Sequence, residues 1–314
     1  MTTTFVSGGT GFIGEEVVRR LVREGHHVRV LVRSAQAVEK ARALGAEPVP
    51  GDLLVAGAWQ SAARDAHHVV HLAQPQTFGG RVSGERARRY RDERMRMDRH
   101  LLDALDPAKT KRIVYVGGTS YYGDLGLELS GEDATPRPRG WGPFVAPAIE
   151  ALSGDLARGL PIVTAFPGYV YGDGSWFREY VLAPLMKDIR LNVIGGRSRT
   201  GSPIHVDDCA SALVHLLARG EVGARYFVVD DRPAAWMEIY EGAARAMGKP
   251  FRYRKVHPLL LRLLVGPVVA DSVQSDAALS NARLRSLGWE PRFPTIAEGI
   301  PDVVKRARPL KKKP

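Results

Sequence analysis

Apolar positions in the first half of the chain fall into two alternating patterns. Short continuous apolar runs recur, and between them apolar residues follow the three-to-four-residue spacing of amphipathic helices. Continuous runs are typical of strands that are buried on both faces of a parallel sheet. After a first strand that ends at Val6, the pattern predicts strands at His27–Val32, Glu47–Val49, His68–Leu72 and Arg112–Val116. With helices between them, these strands predict an α/β protein with a Rossmann-type, doubly wound parallel sheet.

The turn after the first strand is rich in glycine. Its sequence, Ser7-Gly8-Gly9-Thr10-Gly11-Phe12-Ile13-Gly14, contains the spacing G-x-G-x-x-G between a strand and a helix. Glycines are needed there for a tight turn, for close approach of the backbone to a pyrophosphate and for helix–strand packing. The free N–H groups at the start of the helix then face the phosphates. We predict a dinucleotide site that contains Gly8, Thr10, Gly11, Phe12, Ile13 and Gly14.

The end of the second strand indicates which dinucleotide is bound. An NAD site places Asp or Glu about 20 residues after the glycines, where it binds the ribose 2′-hydroxyl. This chain has Arg33 at that point instead, and Lys40 follows in the next helix. A guanidinium matches a 2′-phosphate in shape and charge, whereas a carboxylate repels it. We therefore predict NADP(H) as the cofactor, the alternative being that Arg33 and Lys40 are two surface cations.

Composition and charge exclude few classes of protein. The chain has 314 residues, one cysteine (Cys209) and a net charge of +11. A single cysteine excludes a disulfide framework and favours a cytoplasmic protein. Much of the positive charge lies in Arg81–Arg99, where it alternates with acidic residues as on a solvated helix face, and in the basic tail Lys305–Lys313. We therefore expect no nucleic-acid partner.

The sequence contains no segment with the pattern of a membrane span. Met1–Val6 leads into the first strand without a basic leader, and the most apolar segment, Val256–Ala270, is interrupted by Pro258 and Pro267. This segment is too short and too broken to cross a bilayer. We expect no membrane partner, and we predict that Val256–Ala270 forms a helix that lines an apolar pocket.

Further motifs resemble those of the extended short-chain dehydrogenases/reductases of the NAD-dependent epimerase/dehydratase type. They are Gly51-Asp52-Leu53, Val70-His71-Leu72-Ala73, Phe166-Pro167-Gly168-Tyr169-Val170-Tyr171-Gly172, Ile204–Asp208 and Asn281–Trp289. With the glycine turn they extend the resemblance to about Ile300. The resemblance implies that Asp52 contacts the adenine, and that Pro167, Gly168 and Val170 face the nicotinamide. It also implies that Leu53, Leu72 and Ala73 complete the cofactor site.

We predict two structural units from this organisation. A NADP-binding Rossmann domain covers residues 1–170, with a return around residues 204–230. A smaller, discontinuous substrate-binding lobe is formed by residues 171–203 and 231–314. A bulky, partly apolar small molecule is the expected ligand, because a pocket would be lined by Trp141, Trp176, Phe177, Trp236 and Leu259–Val265. Aromatic residues at such spacing are also common in protein cores, and the oligomeric state is left open.

The usual catalytic pair of the family is missing. The resemblance implies a general acid/base Tyr, a Lys four residues later that lowers its pKa, and a Ser or Thr that orients the carbonyl. Alignment places Gly118 at the Ser/Thr position and Gly142 and Ala146 at the Tyr and Lys positions. No lysine occurs from residue 112 to residue 186. The Asn expected in the preceding helix is replaced by Arg94 or a neighbour.

Thr119, Ser120 and Tyr121 follow the fifth strand, at the edge where parallel sheets place their sites. Hydride transfer requires chiefly a carbonyl, imine or conjugated alkene that is held in a dry pocket. We therefore interpret the protein as an atypical NADP(H)-dependent reductase with these three residues as catalytic candidates. Tyr169, water and an acidic group on the substrate are other possible proton donors.

Two alternatives to a reductase stay open. One is a cofactor-binding sensor or scaffold that has lost catalysis. The other is a sugar-nucleotide epimerase or dehydratase with a rebuilt site, which is weakened because oxidation of an alcohol requires a base. His205, Asp207 and Asp208 lack the third ligand of a zinc site, so we interpret them as a helix cap and predict no metal.

Overall fold

The computed structural model describes residues 1–76, 81–195, 198–307 and 309, and most of the basic tail lies outside this range. The first half of the chain contains β1 (Thr3–Ser7), α1 (Phe12–Arg23), β2 (His27–Val32), α2 (Ala35–Ala43), β3 (Glu47–Pro50), α3 (Trp59–Arg64), β4 (His68–His71), α4 (Gly84–Leu102), β5 (Arg112–Val116), a 3-10 turn (Thr119–Tyr121), β6 (Gly126–Ser130), α5 (Gly142–Ala157) and β7 (Ile162–Pro167). The second half contains β8 (Tyr169–Tyr171), a π-helical turn (Arg178–Leu182), α6 (Ala183–Met186), β9 (Leu191–Ile194), β10 (Thr200–Gly201), β11 (Pro203–His205), α7 (Val206–Arg219), β12 (Arg225–Val228), β13 (Ala234–Ala235), α8 (Trp236–Ala246), β14 (Tyr253–Val256), α9 (Pro258–Val265), α10 (Pro267–Ser272), β15 (Ala277–Leu279), α11 (Ala282–Ser286) and α12 (Ile296–Arg306).

A parallel sheet of seven strands forms the centre of the fold, in the order β12-β7-β5-β4-β1-β2-β3. β1 pairs with both β2 and β4, in a register that sets Val6 beside Val30 and Val70. All three side chains are fully buried, as expected for strands that are covered on both faces. The predicted strands are observed to within one residue of their predicted ends. The Rossmann-type α/β fold is therefore confirmed.

Helices cover the two faces of the sheet and bury separate clusters of apolar side chains. On one face, Leu21 of α1 and Leu213 of α7 belong to the same buried cluster. On the other face, Leu101 of α4 and Leu152 of α5 pack in a second cluster. The strand order reverses direction between β1 and β4, so the carboxyl ends of these strands open a crevice there.

The second half of the chain adds short elements and a third apolar cluster. This cluster includes Phe177, Leu182, Ile239 and Ile300. The strand β12 returns to the main sheet and pairs with β7, whereas β14 pairs with β9 in a separate parallel pair. Of the strands after β7, only β12 belongs to the main sheet, and the other described strands form separate pairs.

The prediction for Val256–Ala270 was wrong in its packing. The segment forms two short helices, α9 and α10, on either side of Gly266. Four leucines of α9 are exposed, so this helix does not line an apolar pocket. Pro258 and Pro267 each allow a helix to begin, but they prevent one long helix from running through the segment. Apolar composition alone does not determine which surface a helix contacts. None of the described helices combines the length and the apolar character that crossing a bilayer requires.

Candidate functional site

The glycine turn is shaped so that backbone, rather than side chains, faces the crevice. Gly8 adopts a φ of +75°, and a Cβ on this residue would lie 2.8 Å from the backbone nitrogen of Ala73. A Cβ on Gly14 would lie 2.1 Å from the carbonyl oxygen of Gly8. Gly11 caps α1 without a side-chain hydrogen bond. The first N–H groups of α1 are therefore open toward the crevice, where they favour an anion.

A large cleft of about 1040 Å³ occupies the crevice. The cleft runs from the end of β2, across the glycine turn, to the ends of β5 and β7. Nearly all of the predicted cofactor residues line it: Gly8, Thr10, Gly11, Phe12, Ile13, Gly14, Arg33, Asp52, Leu53, Leu72, Ala73, Pro167, Gly168 and Val170. Its length and its mixture of backbone and apolar side chains suit a dinucleotide.

Arg33 and Asp52 stand at the end of the cleft beside β2 and β3. The Arg33 Nη1 atom is 3.9 Å from the Asp52 Oδ2 atom, and both side chains are well exposed. Asp52 is held in place because its Oδ1 atom accepts a hydrogen bond from the backbone N–H of Leu54. The Arg33 guanidinium is exposed, and its contact with Asp52 is long, so it can turn toward a phosphate in the cleft.

Lys40 lies outside the cleft, unlike the other predicted cofactor residues. Its Nζ atom donates a hydrogen bond to the carbonyl oxygen of Thr10 at 2.8 Å and forms an ion pair with Glu15. These contacts tie α2 to the glycine turn. In this structure Lys40 supports the shape of the turn rather than contacting the space beside Arg33.

A buried polar network joins the ends of β1, β4 and β5 to α4. It consists of Ser7, His71, Asp98, Arg94 and Tyr115, and we call it the buried network. His71 contacts Ser7 through Nδ1 at 2.6 Å and Asp98 through Nε2 at 2.7 Å. Asp98 also accepts hydrogen bonds from Arg94 Nε at 2.8 Å and from the Tyr115 hydroxyl at 2.6 Å. Every polar side chain in the network therefore has a partner.

The charges in the buried network are set by burial and by its one ion pair. Burial opposes ionisation of Asp98, but the Arg94 guanidinium and the hydrogen bond from His71 outweigh burial and lower the pKa of Asp98. Burial also lowers the pKa of His71, although the hydrogen bond to Asp98 opposes that change. Burial raises the pKa of Tyr115 well above its ordinary value. At neutral pH the network therefore holds an Arg94–Asp98 ion pair, a neutral His71 and a protonated Tyr115.

Arg94 also borders a small inner cavity of about 190 Å³. Its Nη1 and Nη2 atoms donate hydrogen bonds to the carbonyl oxygens of Ala73 and Val116, at 3.3 and 3.2 Å. The inner cavity shares part of its lining with the large cleft, including Tyr90 and Gly118. Helix α5 contributes only apolar side chains to it: Val145, Ala148 and Ile149.

The three catalytic candidates are separated by the structure. Ser120 lines both the inner cavity and an outer cavity of about 230 Å³, whereas Thr119 lines only the outer one. The Tyr121 ring packs on Phe166, and its hydroxyl lies 3.5 Å from Nη1 of Arg225. Tyr121 lines neither the large cleft nor the inner or outer cavity. This position does not favour Tyr121 as a proton donor.

The predicted aromatic pocket is only partly assembled. Trp141 lines the inner and outer cavities, and Tyr169 lines the outer one. Trp236 packs against Tyr169 with ring centroids 4.8 Å apart, and Phe177 is fully buried in the third cluster. Burial raises the pKa of Tyr169 to about 12, so this residue stays a phenol at neutral pH.

His205 acts as a helix cap in the structure, because its Nδ1 atom accepts a hydrogen bond from the backbone N–H of Asp207 at 3.1 Å. Asp208 accepts hydrogen bonds from the backbone N–H groups of Arg292 and Phe293. Within the described ranges, no group of three His, Cys, Asp or Glu side chains is arranged to hold a metal ion.

The sequence interpretation of α4 missed Arg94 and Asp98 as site residues. Both are 3% exposed, so the description of Arg81–Arg99 as a solvated helix face is wrong for these two positions. The available signal was spacing: Tyr90, Arg94, Asp98 and Leu101 lie three or four residues apart and share one side of the helix. Two opposite charges on an otherwise apolar stripe indicate a buried ion pair.

Comparison with known proteins places this site among nicotinamide-dependent enzymes. Residues 4–229 match the NAD dependent epimerase/dehydratase family. The chain is 29% identical over 303 residues to the 4-hydroxy-2-methyl-3-oxo-4-farnesyl-3,4-dihydroquinoline-1-oxide ketoreductase of Stigmatella aurantiaca, covering 93% of this chain and 84% of that protein. It is 29% identical over 310 residues to the ceramide reductase of Caulobacter vibrioides, covering 94% and 88%.

Two solved structures share the fold. The human epimerase family protein SDR39U1 (isoform 2) with NADPH superimposes with a TM-score of 0.79 at 19% identity, covering 97% of this chain and 99% of that one. The UDP-glucose 4-epimerase of Thermus thermophilus in complex with NAD also gives a TM-score of 0.79, at 24% identity, covering 97% and 98%. The same fold therefore occurs with NADPH in one structure and with NAD in the other. Proteins similar to this chain are named as epimerases and as reductases.

Proposed function

The chain belongs to the NAD dependent epimerase/dehydratase family of extended short-chain dehydrogenases/reductases, and we propose that it uses NADPH to reduce a carbonyl or conjugated group of a bulky, partly apolar metabolite. Members of the family depend on a nicotinamide dinucleotide, and two relatives of this chain are named as reductases. A bound NADPH would supply a hydride to the substrate.

The residues that line the large cleft fit such a cofactor. The open N–H groups of α1 would hold the pyrophosphate, and Arg33 would pair with the 2′-phosphate. Asp52, held by the N–H of Leu54, would contact the adenosine. Pro167, Gly168 and Val170 would border the nicotinamide at the other end of the cleft.

The observation that carries the reductive direction is the lining of the inner cavity. Among the described residues that line it, none is a carboxylate, a histidine or a lysine. Burial raises the pKa of Tyr90 and of Tyr115, so neither phenol is a base at neutral pH. Oxidation of an alcohol needs a base, whereas reduction needs a group that stabilises negative charge on oxygen. The described lining of the inner cavity supplies a group that stabilises negative charge, Arg94, and contains no base.

Arg94 is the group that would stabilise this charge. Its Nη1 and Nη2 atoms each carry two hydrogens, and each uses one on a backbone carbonyl. The other two Nη hydrogens have no backbone partner, and they belong to a guanidinium that borders the inner cavity beside the Tyr90 hydroxyl, with which Arg94 also interacts. We place the substrate oxygen against them, in a site where little water screens the charge. Ser120 would pass a solvent proton to the product, because Ser120 borders both the inner and the outer cavity.

A bulky substrate is supported by the outer cavity and by the names of the relatives. The outer cavity is lined by Trp141, Tyr169 and Leu279 together with several small residues. The named relatives act on a farnesylated quinoline oxide and on a ceramide, which are both large amphiphilic molecules. We propose an amphiphilic ketone whose carbonyl enters the inner cavity while its apolar part occupies the outer one.

The proposal is tested by incubating the full chain with NADPH and ketones that do or do not carry a long alkyl or prenyl chain. Loss of nicotinamide absorbance with the long-chain ketones is the expected result. Binding of NADPH without turnover of any ketone would contradict the proposal and favour the sensor. Conversion of a nucleotide sugar in a parallel incubation would favour the epimerase or dehydratase.

A further inference from the structure

Helix α9 presents an apolar face that no described residue covers. Leu259, Leu260, Leu263 and Leu264 are between 49% and 68% exposed, and no residue of this helix is buried. Their spacing of one, three and one residues places them on one side of the helix. Scattered exposed leucines are common on protein surfaces, but four on one short helix form a contiguous patch.

The surroundings of this patch are basic. From Lys249 to Ala270 the sequence has five Lys or Arg residues and no Asp or Glu, although Lys249 and Arg262 form ion pairs with Asp188 and Asp271 outside this range. Arg252, Arg254 and Lys255 are exposed immediately before α9, and Arg254 and Lys255 belong to β14. Tyr253, on the same strand, is 40% exposed. Apolar and cationic side chains therefore stand side by side on one continuous segment.

The same segment lies close to the outer cavity. Helix α9 leads through Gly266 into α10, and the last residue of α10, Ser272, lines the outer cavity. The backbone N–H of Val82 donates to the carbonyl oxygen of Val265, which fixes the end of α9 beside the start of α4. The leucine patch is therefore connected to the lining of the outer cavity through one short helix, α10.

Contrary to the expectation from the sequence that there is no membrane partner, we propose that α9 and β14 form a membrane-contact surface that binds the interface of an anionic bilayer. The leucines of α9 would enter the boundary between headgroups and acyl chains, and the adjacent cations would pair with anionic headgroups. A second copy of the chain fits less well, because a symmetric contact would set Arg252, Arg254 and Lys255 of each copy against those of the other. The proposed surface would lie on the membrane and would not span it, because α9 has only eight residues.

Vesicle flotation with the full chain, without cofactor or ketone, tests this surface separately from catalysis. The wild type should float with vesicles that contain phosphatidylglycerol and should not float with pure phosphatidylcholine. The double variant Leu259→Ser/Leu263→Ser should lower the bound fraction roughly tenfold. Arg254→Glu/Lys255→Glu should lower it similarly, and added salt should weaken wild-type binding.

Leu127→Ser/Leu129→Ser is the matched control. These two leucines are 61% and 62% exposed on β6, away from the basic segment in sequence, and their replacement should leave flotation unchanged. Wild-type protein that stays unbound, or an α9 variant that binds like the wild type, would overturn the proposal. So would a wild-type dimer that fails to float and is dissociated by Leu259→Ser/Leu263→Ser, because a second copy would then be the occupant.

Discussion

The glycine turn of the large cleft and the wall of the adjoining inner cavity are built from different kinds of atoms. At the glycine turn the wall is backbone, since Gly8 and Gly14 leave no room for a side chain. In the inner cavity part of the wall is formed by Arg94 and Tyr115, which Asp98 holds in place. A backbone wall recognises a ligand by close approach and is damaged by any added atom. A side-chain wall places a charge and is damaged when a partner is removed.

Removal of Arg94 should have the largest effect, because it leaves Asp98 buried beside the neutral His71. Arg94→Met should destabilise the fold by about 3–5 kcal/mol, as measured by chemical denaturation. Arg94→Lys keeps the charge but lacks the planar fork, so it should keep more of the stability while kcat falls by about 10²–10³-fold. Arg96→Met, at an exposed position on the same helix, should change neither quantity. Wild-type turnover by Arg94→Lys would remove Arg94 from the proposed mechanism.

Addition of one methyl group in the glycine turn should act on cofactor binding. In Gly14→Ala the new Cβ would meet the carbonyl oxygen of Gly8, so the turn must open. Loss of two hydrogen bonds to charged phosphate oxygens, each worth about 1.5–3 kcal/mol, should weaken NADPH binding by about 100-fold or more. Fluorescence titration measures this change. Gly154→Ala, in α5 with no atom near its Cβ, should bind NADPH like the wild type.

Arg33 should determine whether the protein prefers NADPH or NADH. Arg33→Glu should weaken NADPH binding by roughly 10- to 100-fold and leave NADH binding nearly unchanged, because only NADPH has the 2′-phosphate. Arg42→Glu, on α2 and paired with Glu39 rather than facing the cleft, serves as the control. Equal affinity of the wild type for NADPH and NADH would contradict the role of Arg33.

His71 should give the side-chain wall a characteristic pH dependence. Burial lowers the pKa of His71 below its ordinary value of 6.5, so the unfolded chain takes up a proton that the folded chain excludes. The stability from this group is complete above pH 6.5 and is lost as the pH falls below it, by up to about 1.4 kcal/mol per pH unit. Urea denaturation at several pH values should therefore show a shallower slope for His71→Gln than for the wild type.

His68 provides the control at the opposite end of the same strand. Burial lowers its pKa to about 4, so His68→Gln should also reduce the slope of stability with pH. His68 lies at the amino end of β4, away from the cleft, and its replacement should leave turnover unchanged. Loss of turnover in His71→Gln but not in His68→Gln would show that turnover depends on the buried network and not on histidine burial in general.

The glycine turn and the inner cavity also differ in how far the sequence predicts them. The glycine turn is made by the consecutive residues Ser7 to Gly14 at the junction of a strand and a helix, so its geometry follows from local order. The inner cavity combines Gln74, Arg94, Gly118 and Trp141, which only the packing of α4 and α5 brings together. Within the 3-10 turn, the packing of Phe166 and Arg225 buries Tyr121, while Ser120 lines the cavities. Such contacts between distant residues are not encoded in any single motif.

The position of β12 has a consequence for synthesis of the chain. This edge strand pairs with β7, yet the ribosome completes it about 60 residues later, after β8, α6 and α7 have emerged. Until then the edge of β7 carries unpaired backbone groups along a fully buried strand sequence, Ile162–Pro167. A nascent chain that stalls in this interval presents a template for strand addition by a neighbouring chain. Aggregation during expression should therefore be concentrated in products that end between residues 168 and 224.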